Sequence, residues 1–161
     1  MKPSRICVQS LKHYVAGKLV FEWFDMDDIE EAKAYAARFE EAMLADMEGP
    51  ISAIQSDVGE FLMWDTLETV YELLIEHGEE FQILIEQEVL ANIDIDKIQR
   101  DGLMCYVYKD EDELGYEMHG QEIPEHYHSY VNFDLLGEDY LTNFDGFYVK
   151  RPRAIYVYDF S

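Results

Sequence analysis

The sequence predicts an α+β protein of three small domains in a row, which together form an elongated acidic molecule. Short apolar segments rich in aromatic and β-branched residues, typical of strands, lie near both ends of the chain. Segments with the 3–4 spacing of amphipathic helices lie between them. Because no internal repeat or low-complexity linker is present, we expect short connections between domains at residues 1–60, 61–102 and 103–161.

The first domain is predicted to have the order strand–strand–helix–strand. Residues 5–9 and 18–26 are apolar enough to form a hairpin, with a turn over 13–17. A helix is predicted over about 28–47, because apolar residues recur at 3–4 spacing and a Gly-Pro pair follows. Residues 51–57 are predicted to form the third strand.

The second domain is predicted to be helical. Asp65 followed three residues later by Glu68 resembles a capping box, which marks the start of a helix. Gly78 ends this helix, a second one is predicted over 79–90, and a short one over 93–100.

One face of the first of these helices carries Glu68, Glu72 and Glu76 at i, i+4 and i+8. Like charges at this spacing cost a helix about 0.2–0.5 kcal/mol per pair. A helix selected only for stability would hold a lysine at one of these positions. The repeated glutamates therefore indicate that the negative charge has a use.

The third domain is predicted to mix strands and helices. Residues 103–108 alternate as a strand, 110–118 form a helical turn, and 133–141 form a helix with an asparagine N-cap. Two closing strands are predicted over 147–150 and 154–158.

The charge of the chain is far from that of an ordinary globular protein. It has 35 Asp and Glu against 12 Lys and Arg, a formal charge of −23. Residues 39–96 contain sixteen acids and residues 110–149 eleven, with no Lys or Arg in either tract. Because the second tract is also rich in apolar residues, it is predicted to fold and to hold its carboxylates at fixed places. Such a surface repels nucleic acid and anionic membranes and attracts basic surfaces.

Composition also bears on location. Two cysteines are too few for a disulfide framework, and the first residues lack an apolar signal core. No apolar run approaches the roughly 18 residues of a membrane-spanning helix. The sequence predicts a soluble cytoplasmic protein.

Catalytic and metal-site motifs are not found in the sequence. It contains no GxSxG, no HExxH and no phosphate-binding glycine loop, and Cys7 and Cys105 lie in apolar strands. Asp94 and Asp96 open like a calcium loop, but the following positions lack the required oxygen ligand and glycine. Three histidines at 119–128 lie without a compact ligand set for zinc. We therefore expect no enzyme, no metal and no cofactor.

Phosphate mimicry is the function that the charge pattern favours. Duplex DNA carries one negative charge per about 1.7 Å of its axis. Glutamates at i, i+4 on a helix lie about 6 Å apart along its axis, a sparser version of that pattern. A generically acidic protein would explain the net charge, but it explains the long acid-only tracts less well. An acidic adaptor for another basic nucleic-acid-binding protein remains the alternative.

Several segments resemble the ArdA-type antirestriction proteins. At the C-terminal end these are Ile-Pro-Glu-His at 123–126, the run from Ser129 to Asp139, and Gly-Phe-Tyr at 146–148. At the N-terminal end, segments between Ile6 and Asp25 resemble the family's opening strand pair. The resemblance implies an inhibitor that occupies the DNA-binding groove of type I restriction–modification enzymes. It implies this protein partner, rather than nucleic acid or a membrane, and no covalent chemistry.

We expect the partner to bind distributed acids, no one of which is essential. They are Glu68, Glu72, Glu76, Glu79, Glu80, Glu86, Glu88, Asp110, Glu111, Asp112, Glu113, Glu117, Glu122, Glu125, Glu138 and Asp139. The resemblance also implies a homodimer with its contact in the C-terminal third. The apolar candidates for that contact are Tyr130, Phe133, Leu136 and Tyr140.

Overall fold

Helices and two small antiparallel sheets alternate along the chain in a computed structural model that describes residues 2–160. The mixed α+β class is confirmed. Contacts divide the chain into two units, Met1–Gln99 and Arg100–Ser161. The finer division into three domains stays a prediction.

The first unit is built on a three-stranded sheet. It contains β1 (Arg5–Ser10), β2 (Phe21–Asp25) and β3 (Ala42–Glu48) in the order β2-β1-β3, with both pairings antiparallel. The central strand is the most buried, and its Ile6 and Val8 are inaccessible to solvent. The predicted hairpin of the first two strands is thereby confirmed.

Helices cover most of the remaining first unit. They are α1 (Leu11–Val15), α2 (Ile29–Ala36), α3 (Gln55–Val58), α4 (Trp64–His77), α5 (Glu79–Gln87) and α6 (Ile95–Asp101), the last ending inside the second unit. Turns of 3₁₀-helix occupy Met26–Asp28, Pro50–Ile54 and Leu90–Asn92. Leu67, Val70 and Leu74 form the buried stripe of α4, which packs on α5 and on the turn after Pro50.

The helix predicted over 28–47 is wrong in its second half. The helix ends at Ala36, and residues 42–48 form β3 instead. The register shifts at Cys7 and Val8, which face Asp46 and Leu44, so that Ala45 is left out of the pairing. This β-bulge puts the buried Leu44 and Met47 three residues apart, and that spacing imitates a helix.

Three further local predictions are corrected. Residues 51–57 are helical rather than a strand, because Ile51, Ile54 and Val58 recur at 3–4 spacing and are all buried. The turn expected over 13–17 overlaps α1, a short helix. Asp65 is not an N-cap, since α4 begins at Trp64 and Asp65 lies in its first turn without a capping bond.

The second unit packs two helices on a sheet. Its strands are β4 (Met104–Tyr108), β5 (Phe147–Arg151) and β6 (Ala154–Asp159), in the antiparallel order β4-β6-β5. The helices are α7 (Glu111–His119) and α8 (Phe133–Thr142), connected through 3₁₀ turns at Gly120–Glu122 and Glu125–Tyr130. All three strands and the 133–141 helix are confirmed, and the predicted helical turn at 110–118 is a full helix.

The core of the second unit lies between its helices and its sheet. Leu114 and Leu141 from the helices meet Ile155 and Val157 from the central strand.

Within the described residues, no helix is both long enough and apolar enough to cross a bilayer.

Candidate acidic partner-binding surface

The sixteen predicted partner-binding acids all lie at or near solvent. None is buried. Eleven of them are exposed, and the other five are half-buried: Glu68, Glu80, Glu88, Asp110 and Glu111. Carboxylates are rarely buried without a partner, so the fold displays them wherever an element has a free face.

On α4 the exposed acids occupy a narrow sector around the helix axis, and this sector does not include all three glutamates of the i, i+4, i+8 series. One residue turns a helix by about 100°, so Glu72 and Glu76 lie within about 40° of each other and Asp65 lies between them. All three are exposed. Glu68 lies about 80° from Glu76 on the same helical wheel and makes a different contact.

Glu68 is engaged by a lysine from another helix. The ammonium of Lys33 on α2 forms ion pairs with Glu68 and, at 3.3 Å, with Glu30. The hydrogen bond to Glu68 is the main cause that raises the pKa of Lys33 above its ordinary value. Glu68 therefore connects α2 to α4 and is not a free charge on the outer line.

The acids of α5 follow Gly78, the residue between the end of α4 and the start of α5. Gly78 has φ of 61°, a left-handed conformation that suits glycine, and α5 starts directly after it. Glu79 and Glu80 lie in the first turn of α5, where the helix dipole favours negative charge. Near the end of the helix, Glu86 accepts a hydrogen bond from the Gln82 side chain at 3.0 Å.

Two acids at the start of α7 are held by local hydrogen bonds. Asp110 is its N-cap, and its Oδ1 accepts the backbone N–H of Glu113 at 2.9 Å. The Glu113 carboxylate in turn accepts the backbone N–H of Lys109. This reciprocal arrangement, close to a capping box, fixes the start of an acidic helix.

The acidic helices α7 and α8 cross at two glycines. A Cβ on Gly115 would lie 1.9 Å from the carbonyl oxygen of Phe133, and a Cβ on Gly137 would lie 1.9 Å from that of Glu111. The backbones can approach so closely only because neither residue has a side chain. Both helices carry exposed acids, among them Asp112 and Glu117 on α7 and Glu138 and Asp139 on α8.

The carboxylate at that crossing, Glu111, has a cationic partner. Lys150 on β5 forms an ion pair with Glu111, whose side chain is 13% exposed. The hydrogen bond from Lys150 lowers the pKa of Glu111 and raises that of the lysine. Like Lys33, this lysine connects two elements.

The histidines of the acidic C-terminal tract do not form a set of metal ligands in the described part of the chain. The Nε2–H of His128 donates to the carbonyl oxygens of Gly120 at 3.0 Å and Ile123 at 2.8 Å. Its ring packs edge-on against Tyr116 and Phe133. Among residues 2–160, no group of three or more His, Cys, Asp or Glu is placed to hold a metal ion.

A comparison with protein families matches residues 6–153 to the family described as Antirestriction protein (ArdA). The chain belongs to this family. No match was found among curated proteins. Membership of the ArdA family implies an antirestriction function, with an inhibitor rather than an enzyme and a restriction–modification enzyme as its partner.

The apolar candidates for a dimer contact in this ArdA-family chain differ in exposure. Tyr130 is 86% exposed, whereas Phe133 is buried and packs on Tyr116 within its own unit. Leu136 and Tyr140 are half-buried, and a partner could contact only part of each.

A further exposed apolar side chain on α8 was not among the residues predicted from the sequence. Leu135 of α8 is 57% exposed. Helical spacing alone could have indicated it, because it lies outside the stripe that includes Phe133 and Leu141.

Proposed function

We propose that this chain inhibits type I restriction–modification enzymes as a mimic of DNA that occupies their DNA-binding groove. The observation that carries the proposal is the display of carboxylates on exposed faces of α4, α5, α7 and α8, in two tracts that contain no Lys or Arg. The inhibition needs no covalent chemistry and no cofactor.

The physical basis is the exchange of one polyanion for another. A groove that binds DNA presents Lys and Arg to phosphates, and each contact releases condensed counterions. Fixed carboxylates can take the place of phosphates, and long-range attraction speeds the encounter. The protein, unlike DNA, offers no phosphodiester to be cut.

The geometry supports a distributed binding surface. Acids that make structural ion pairs, such as Glu68 and Glu111, hold elements together. Outward acids such as Glu72, Glu76 and Glu117 remain for the partner. Since each contributes one charge among many, inhibition should fall gradually as groups of acids are neutralised.

A homodimer through the second unit is part of the proposal. A two-fold pair would double the number of carboxylates offered to one enzyme. Among the exposed apolar side chains of this unit, we assign Tyr130 and Leu135 to this contact, together with the half-buried Leu136 and Tyr140. Sedimentation tests it: a Tyr130→Glu, Leu135→Glu variant should be a monomer at concentrations where the native chain is a dimer. A native chain that is monomeric at micromolar concentration would overturn the dimer.

Grouped neutralisation tests the mimic itself. The variant Glu72→Gln, Glu76→Gln, Glu79→Gln removes three exposed charges of the proposed surface. It should weaken inhibition of a type I enzyme clearly, while each single change has little effect. Its fold should keep nearly native stability, because the lost repulsion between Glu72 and Glu76 offsets the lost interaction of Glu79 with the dipole of α5.

The matched control removes three exposed charges elsewhere. Glu22, Asp28 and Glu31 are exposed and belong to neither acid-only tract. Their change to Gln, Asn and Gln should leave inhibition nearly unchanged. Equal losses in both triple variants would mean that net charge alone matters, and abolition by one Glu→Gln change would contradict a distributed surface.

A further inference from the structure

A pocket of about 450 Å³ opens in the first unit, and none of the sixteen predicted partner-binding acids lines it. It lies between the end of α3, the first half of α4, the turn at Leu90–Asn92 and α6. Its volume is in the range of pockets that hold small molecules.

The interior of the pocket is apolar. Val58 and Val70, both almost completely buried, form its floor, and Leu90 and Ile95 add to its walls. One wall is held in place by Asp57, whose Oδ1 accepts the backbone N–H of Leu90 at 3.2 Å. The packing of the helices and the hydrogen bond from Leu90 to Asp57 therefore define the walls of the pocket.

The rim of the pocket is anionic. Asp57, Asp65 and Asp96 line it, all three are exposed at their outer side, and none of the lining residues is basic. Thr66 and Thr69 add hydroxyl groups that can donate or accept hydrogen bonds. An apolar floor under several carboxylates suits a ligand with an apolar body and a positively charged end.

We propose that this pocket binds a small organic cation that has an aliphatic or aromatic body and at least one ammonium group. A hydrated metal ion does not suit the apolar floor, and a neutral apolar molecule would leave the rim carboxylates without a partner. The test of this pocket does not depend on inhibition, because its readout is the binding of a small molecule to the protein alone.

Three probes of equal length separate charge from shape. Diaminooctane has an ammonium at each end, octanediol has hydroxyls, and octanedioate has carboxylates. Calorimetric titration of the full chain should show saturable one-to-one binding of the diamine only. Equal binding of the diol, or no saturable diamine binding at millimolar concentration, would overturn the proposal.

Neutralising the rim tests the location. The variant Asp65→Asn, Asp96→Asn should weaken diamine binding by about tenfold or more, because charge-assisted hydrogen bonds are the strong ones. The control Glu22→Gln, Glu31→Gln removes the same charge from exposed positions outside the pocket. Equal weakening by both would show only general attraction to an acidic protein.

Filling the pocket tests it without any change in charge. Ala91 lines the pocket on the Leu90–Asn92 turn, so Ala91→Trp should block the diamine. Ala34→Trp, at an exposed position on α2 that does not line it, should leave binding intact. Unchanged binding in a folded Ala91→Trp protein would overturn the site, and if this variant does not fold, the comparison of rim and control variants decides.

Discussion

Single ion pairs connect distant elements in this acidic chain. Lys33 connects α2 to α4 through Glu68, and Lys150 connects β5 to α7 through Glu111. Exposed ion pairs contribute little to stability in general. These two matter for position, because each holds a cation of one element beside an acid of another.

The pair of Glu111 and Lys150 gives a prediction about pH. Folding lowers the pKa of Glu111 from 4.5 and raises that of Lys150 from 10.5. The pair therefore stabilises the fold between these values, and its contribution is lost as pH falls through the lowered pKa or rises through the raised one. Lys150→Gln should reduce the unfolding free energy in urea at neutral pH, and this effect should shrink as pH falls below 4.5 through the lowered pKa of Glu111.

The same substitution should return the pKa of Glu111 toward its ordinary value, which a carboxyl-detected NMR titration can follow. Lys109→Gln removes an equal charge next to α7 and serves as the control, because Glu113 binds the backbone N–H of Lys109 rather than its side chain. A Glu111 pKa that shifts equally in both variants would contradict the specific pair.

At the scale of elements, the crossing of α7 and α8 depends on two glycines. Their absent side chains allow the carbonyls of Glu111 and Phe133 to lie against the opposite helix. The backbones of the two helices are thereby in contact, and Leu114 and Leu141 carry the helices into the core of the unit.

Gly137→Ala should destabilise the second unit by about 1–3 kcal/mol or more, because overpacking at a backbone contact cannot be relieved by a rotamer change. Gly120→Ala is the matched comparison: its Cβ would meet the ring of Tyr116 at 3.1 Å, and that side chain can move. Thermal unfolding measures both. A Gly137→Ala loss no larger than the Gly120→Ala loss would contradict the close crossing.

Elements with clear local signals could be predicted from the sequence, and elements set by distant contacts could not. The elements of the second unit were predicted well because glycines lie between several of them and an asparagine caps α8. Asn132 Oδ1 accepts the backbone N–H of Leu135. The strand β3 was misread because its bulge at Ala45 hides the two-residue period. Only its pairing with β1 makes the segment a strand.

In the candidate site, too, features set by local sequence could be predicted, and features set by contacts between distant segments could not. Exposure of most acids could be predicted, because charged side chains are seldom buried. The pairing of Glu68 with Lys33 and of Glu111 with Lys150 could not, since each pair is brought together by packing of separate elements. The pocket beside α4 joins residues between Asp57 and Gln99, and no local spacing indicates it.

For the whole molecule, the formal charge of −23 sets the response to salt. Repulsion among so many carboxylates destabilises the folded state, and ions screen it over about 10 Å at 0.1 M. The melting temperature should therefore rise as sodium chloride is added. Calorimetry should find a smaller rise in the triple variant of Glu72, Glu76 and Glu79, and a melting temperature that falls with salt would contradict dominant self-repulsion.

The central claim is that the carboxylates stand in for DNA phosphates in the groove of the enzyme. The most direct measurement is binding of the labelled protein to a type I restriction–modification enzyme in competition with duplex DNA across a series of salt concentrations. We expect the duplex to displace the protein completely, and affinity to fall steadily as salt rises. Binding that persists under saturating duplex, or that is indifferent to salt, would contradict the claim and favour an adaptor that contacts the enzyme elsewhere.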